Sequence, residues 1–197
     1  MKRPTSRQRR IVILTLAAIT FGIAFYGGAK YKSRPPASPS IAGVSIQPPS
    51  PLPLLEVTDA PVEALSEASL RDHWSLLMLD PHRGEDRSPG LIRLLQIHNR
   101  LADKPVLQQR LRYLYLPIEA DETKLQALAA LSDNLQGLAL TPVQADELFQ
   151  LYCVDPQGQD PALYLIGPEA RLHALFTPGE DAANIAEDLT ALINTPQ

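Results

Sequence analysis

From Leu52 onward the chain alternates short apolar runs with longer stretches in which apolar residues recur every three or four positions. "WSLLML" (74–79) is apolar almost throughout, the pattern of a central parallel strand covered on both faces. A helix over 89–103 follows, with Leu91, Leu94, Leu95, His98 and Leu101 spaced for one face. Pro89 suits its first turn, where no N–H is needed, and Ser88 sits where an N-cap belongs. "LRYLYL" (111–116) predicts the next strand, and 121–133 the next helix, with Leu125, Leu128 and Leu131 inward. "GLAL" (137–140) predicts a short strand, and Thr141-Pro142 opens a helix over 142–153. "ALYLI" (162–166) and "RLHALF" (171–176) read as a hairpin around Gly167–Ala170, before an amphipathic helix over 180–193. Upstream, "LPLLEV" (52–57) and "PVEAL" (61–65) predict a hairpin around Asp59, and "SEASL" (66–70) a helical turn capped by Ser66. Strand and helix in alternation define an α/β class with a central mixed sheet flanked by helices.

The first fifty residues have a different pattern. Residues 11–29, "IVILTLAAITFGIAFYGGA", carry no charge, and as a helix they would roughly match the ~30 Å hydrocarbon thickness of a bilayer. Five Lys or Arg precede them within residues 1–10, which predicts a cytoplasmic N-terminus and a translocated C-terminal domain. The stretch is longer than a typical signal core, which favours a retained single-pass anchor in a bacterial inner membrane. Gly27-Gly28-Ala29 keeps a cleaved signal as the rival. Residues 30–51 are Pro/Ser-rich and predict an extended tether, leaving 52–197 as the folded domain in the periplasm.

Charge sharpens this division. All of the net charge of -4 hides an asymmetry: residues 1–34 hold eight Lys or Arg and no acid, leaving 10 basic against 22 acidic residues in the rest. So acidic a domain has no reason to bind nucleic acid or anionic lipid. Its basic residues nonetheless crowd into the run Arg83, Arg87, Arg93, Arg100, Lys104, Arg110 and Arg112. That run is either a solvated face or a patch for an acidic protein partner, with Arg83, Arg87, Arg93 and Arg100 as its candidate residues.

Candidate chemistry is sparse. Cys153 is the single cysteine, so no internal disulfide can form, and no basic neighbour in sequence lowers its pKa. A small buried hydrophobe is its expected role. The polar stretch 80–88 holds Asp80, His82, Glu85 and Asp86, but Arg83 and Arg87 interleave with them and disfavour a cation, so a solvated loop is expected. His98 is placed at a core edge, His73 on the surface before Trp74, and His173, alternating with Leu172 and Ala174, facing solvent. Ser88 has no identifiable His–acid pair and is expected to be a cap rather than a nucleophile. No Gly-rich phosphate loop and no zinc-type cysteine pairing is present.

Element order, ending in a β-hairpin and helix, is that of a thioredoxin-like domain. "LPLLEVTDAPVEALSEASLRDHWSLLMLD" resembles the opening of the Sco/SenC family, membrane-tethered thioredoxin-like proteins of cytochrome oxidase copper-site assembly. "LTPVQADELFQLYCV" and "ALYLIGPEARLHALFTPGEDAANIAEDLTALI" resemble that family's Thr-Pro-started helix and its C-terminal strand, turn, strand and helix. The resemblance covers roughly residues 52–193 and is mostly structural. It implies a Cys-x-x-x-Cys-Pro motif after the central strand and one distant His, a soft set suited to copper and dithiol exchange. Counting from Trp74 and from Tyr164, these ligand positions fall on Gly84, Ser88 and Gln159, with only the motif's proline kept as Pro89. The resemblance also implies a cis bond at Pro161.

The expectation is therefore a non-enzymatic, membrane-anchored thioredoxin-like protein without metal or cofactor. It would bind a protein partner, an oxidase subunit or an assembly factor. The alternative is a metal-binding or thiol-redox protein with a site rebuilt around His82, Asp86 and Cys153.

Overall fold

The computed structural model describes residues 40–52, 65–83, 88–151 and 162–194. One six-stranded mixed sheet runs in the order β1-β6-β5-β2-β3-β4. Its strands are β1 (Val44–Pro51), β2 (Trp74–Arg83), β3 (Leu111–Ile118), β4 (Leu135–Gly137), β5 (Ala162–Ile166) and β6 (Arg171–Phe176). β2, β3 and β4 are mutually parallel, whereas β5 lies antiparallel to β2 and β6, and β6 antiparallel to β1. Among the described residues six helices connect or flank them: α1 (Glu67–Leu70), α2 (Pro89–Arg100), α3 (Pro105–Arg110), α4 (Glu122–Ala129), α5 (Pro142–Leu151) and α6 (Ala182–Asn194).

Period-two alternation splits the sheet's apolar residues into two layers. Leu76, Met78, Tyr113, Leu163 and Leu165 face one way and pack against Leu94 and Ile97 of α2, Leu101 at its C-cap, and Ile185 and Leu189 of α6. Leu77, Leu79, Leu114, Leu116, Tyr164 and Ile166 face the other way, toward Leu70 of α1 and Ala145, Leu148 and Phe149 of α5. Central strands are thus buried on both faces, which is why they read as continuous apolar runs.

Local signals hold at the helix starts. Ser66 accepts a hydrogen bond from the Ser69 N–H, and Asp121 accepts one from the Thr123 N–H. Thr141 and Gln144 form a reciprocal cap: the Gln144 side-chain oxygen accepts from the Thr141 N–H at 3.0 Å, and Thr141 Oγ1 accepts from the Gln144 N–H at 3.4 Å.

Four expectations are corrected. Residues 44–51, placed in the tether, form edge strand β1. The β1 register with β6 shifts between Ser45 and Ser50, so Pro48 and Pro49 fall in the irregular middle and need donate nothing to the ladder. The Gln47–Pro48 peptide there is cis. Helix α3 between α2 and β3 was not foreseen in the polar "KPVLQQR". Several elements depart from their periodic patterns: α2 ends at Arg100 and α4 at Ala129, which leaves Leu131, expected inward, exposed, and the short strand expected over 137–140 is β4 at Leu135–Gly137. His173 does not face solvent. The β5–β6 pairing slips from Leu165↔Ala174 to Ile166↔Leu172, and this bulge takes His173 out of the ladder. The residue is only 9% exposed, its ring edge-on to Trp74 at 4.9 Å, and Nε2 meets the Glu169 carboxylate. Gly167 permits this, since a Cβ there would strike the His173 ring.

The segment 11–29, the hairpin around Asp59 and the Asp160–Pro161 bond lie outside the described residues. Among the described residues no helix is long and apolar enough to cross a membrane.

Candidate functional site

The C-terminal ends of β2 and β3, where α2 begins, form the corner at which open α/β sheets commonly place ligands. Asp80 is the even-numbered continuation of Leu76 and Met78, so its side chain points to the helix-covered face and is 0% exposed. A buried carboxylate needs partners, and Asp80 has four donors. Oδ2 accepts from the Tyr115 hydroxyl at 2.8 Å and from the Ser88 hydroxyl. Oδ1 accepts from the His82 backbone N–H at 3.0 Å and meets His82 Nδ1 at 2.8 Å. Asp80 was expected in a solvated loop; it is instead the centre of a buried network, because strand β2 runs on past Leu79 to Arg83.

Each partner is held by a different element. Tyr115 sits on β3, two residues before Pro117, which pairs with Asp80 across the parallel ladder. Beyond that pair the register shifts, so that Arg83 and not Pro81 meets Ile118. Ser88 is 1% exposed and caps α2 as its position implied: its Oγ accepts from the Gly90 N–H at 3.0 Å while its own proton goes to Asp80. Burial raises the pKa of Tyr115 above the usual phenol value, and the Asp80 charge pushes the same way. The phenol is therefore a permanent donor at neutral pH.

The chemistry of this arrangement is mostly closed. An ionised carboxylate offers about four lone-pair sites, and here four donors fill them. Ser88 both donates and accepts, so its hydroxyl is not poised against a base. With Nδ1–H directed to Asp80, His82 keeps Nε2 as an acceptor, on a side chain 17% exposed. Hard oxygen donors and one imidazole do not suit Cu(I), whose soft thiolates the corner lacks among its described residues. Among the described residues no group of three His, Cys, Asp or Glu converges as a metal site.

The other sequence candidates are scattered. Arg93 does not stand free in a basic face: its guanidinium donates to the carbonyls of Thr177 at 2.6 Å and Glu180 at 2.7 Å, tying α2 to the β6–α6 connection. Arg100 is exposed in the last turn of α2. His98 lies half-buried with its ring edge-on to Tyr113 at 5.1 Å, as expected of a core edge. His73 Nδ1 meets the Arg71 carbonyl and its Nε2 meets Arg112. Gly84, Asp86, Arg87, Cys153 and Gln159, and the side chain of Arg83, lie outside what the structure describes.

Neither a protein-family model nor a curated protein matches this chain. Solved structures do. Apo Sco1 from Thermus thermophilus superposes with a TM-score of 0.53 at 19% identity, covering 79% of this chain and 99% of that one. Yeast Sco1 with copper bound superposes with a TM-score of 0.50 at 16% identity, covering 66% of this chain and 84% of that one. The likeness defines the fold: a thioredoxin-like α/β domain with a central mixed sheet and flanking helices.

Proposed function

We propose that this chain is a membrane-anchored, non-enzymatic relative of the Sco-type assembly proteins. It would act by binding a protein partner in the maturation of a respiratory oxidase. Its domain would stand in the periplasm behind an anchor at residues 11–29. The observation that carries the reading is the saturated carboxylate of Asp80. The corner that would present thiols or a metal spends Ser88, Tyr115 and the His82 ring nitrogen on one buried acceptor. Sequence adds that Gly84, Ser88 and Gln159 stand at the positions the resemblance assigns to ligands, and that Cys153 is the one thiol of the chain. A single thiol cannot cycle between dithiol and internal disulfide. What supports the assembly process is the Sco1-like fold together with the anchor-like N-terminus.

The test is genetic and biochemical. Deleting the gene should lower the amount of assembled haem–copper oxidase in membranes, and a Cys153→Ala copy should restore it fully. Unchanged oxidase in the deletion strain would remove the assembly role. Failure of the Cys153→Ala copy, if it accumulates normally, would favour the thiol-redox alternative.

A further inference from the structure

At the opposite end of the parallel strands from Asp80, a hollow opens between α1 and the sheet. Ser75, Arg112, Leu114 and Gln136 line this hollow of about 540 Å³, with Ser69 and Leu70 of α1 as its other wall. The register explains the grouping: Ser75 pairs with Arg112 across β2–β3, and Leu114 with Gln136 across β3–β4, so all four point to one side. The volume lies within the roughly 300–1,000 Å³ typical of small-molecule sites.

Two features single this hollow out. Ser75 is 1% exposed, yet its hydroxyl has no partner, against the rule that buried polar groups are hydrogen-bonded. Arg112 is half-buried, and among the described residues no carboxylate lies in ion-pair range of it. Its guanidinium is nonetheless held in place: one nitrogen donates to the Ser69 carbonyl at 3.2 Å, and the other lies 3.1 Å from His73 Nε2. Most of its N–H donors stay uncommitted. Asp133 is the one acid lining the adjoining hollow on the far side of Arg112, and it is exposed to solvent.

We propose that this hollow binds a small carboxylate with a short apolar body. The carboxylate would lie on the planar fork of Arg112, which matches it in geometry, with the Ser75 hydroxyl as a further donor. Leu70 and Leu114 supply an apolar floor for the carbon chain. A single guanidinium in an otherwise acidic domain favours a monoanion over a dianionic phosphate. The site uses none of the residues of the Asp80 corner and stands or falls separately from the assembly role.

Hexanoate titrated into the full chain in detergent micelles, followed by calorimetry, is the direct test. It should bind saturably in the millimolar range or tighter, with hexanamide and inorganic phosphate each at least about tenfold weaker. Gln136→Glu changes an exposed residue without touching the core and adds a like charge to the hollow. It should weaken hexanoate by about tenfold and leave the urea midpoint unchanged, while Arg112→Lys should retain part of the binding. A short Leu-ending peptide that outcompetes hexanoate, while its C-terminal amide does not, would keep the carboxylate site and assign its source to a chain terminus. Absence of saturable binding would overturn the proposal. So would hexanamide or phosphate binding as tightly as hexanoate, or an unchanged affinity in Gln136→Glu.

Discussion

The phenol of Tyr115 donates to Oδ2 of Asp80 across 2.8 Å, joining the ends of two parallel strands through a carboxylate that is wholly out of water. Hydrogen bonds to a charged acceptor are worth about 1.5–3 kcal/mol, and a donor removed from a buried carboxylate leaves part of its charge unsolvated. Tyr115→Phe should therefore destabilise the domain by about 1–3 kcal/mol. Asp80→Ala should cost more, because it orphans Ser88, Tyr115 and His82 together. Urea unfolding of the two single variants and the double variant measures this. The pair should be strongly non-additive, and losses within about 0.5 kcal/mol would place the network among incidental surface contacts.

Burial raises the pKa of Tyr113 and Tyr115 above the usual phenol value of 10.0. The folded state therefore holds these protons where the unfolded chain has lost them. Stability from this source is complete below pH 10 and falls as pH rises beyond it. Tyr113 and Tyr115 should escape the ultraviolet ionisation step near pH 10 and titrate only as the chain unfolds. Six tyrosines ionising together in the folded protein would contradict the buried placement.

His98 shifts the other way. Burial lowers its pKa below 6.5, because the charged ring would lose solvent. Below pH 6.5 the unfolded chain takes up a proton that the folded chain resists, so stability falls as pH drops through that range. The His98 ring resonance in a proton NMR titration should have its midpoint under 6.5, and a midpoint at or above that value would refute the assignment.

How much of this was legible in the sequence depends on which force set each feature. Strands β2, β3, β5 and β6 and the starts of α2 and α5 follow from apolar runs and capping residues, signals that act within a few positions. Strand β1 did not, because "VSIQPPSP" has the composition of a linker and becomes a strand only by pairing with β6. His173 broke its alternation through a bulge that depends on β5. Asp80 was partly readable. Leu76, Met78 and Asp80 share one period-two face, which already pointed the carboxylate inward, but its partners Tyr115 and Ser88 come from another strand and from the far side of a loop.

The lead-in to β1 has its own fastening. Asp188 on α6 is buried, and its Oδ2 accepts from the N–H groups of Ala42 and Gly43 at 2.8 and 3.1 Å. Asp188→Ala should destabilise the domain by about 1–3 kcal/mol and open the chain around residues 40–51 to limited proteolysis. Equal cleavage of wild type and variant in that segment would show that the carboxylate does not hold it.

Copper titration of the full chain tests the central claim most directly. With a chromophoric Cu(I) competitor under reducing conditions, the protein should withdraw no copper at affinities tighter than about micromolar, because Asp80 is filled by its own fold and the described residues of the corner offer oxygen donors in place of thiolates. One equivalent of copper held more tightly than that, and lost on replacing His82 or Cys153, would contradict the account and establish a rebuilt metal site.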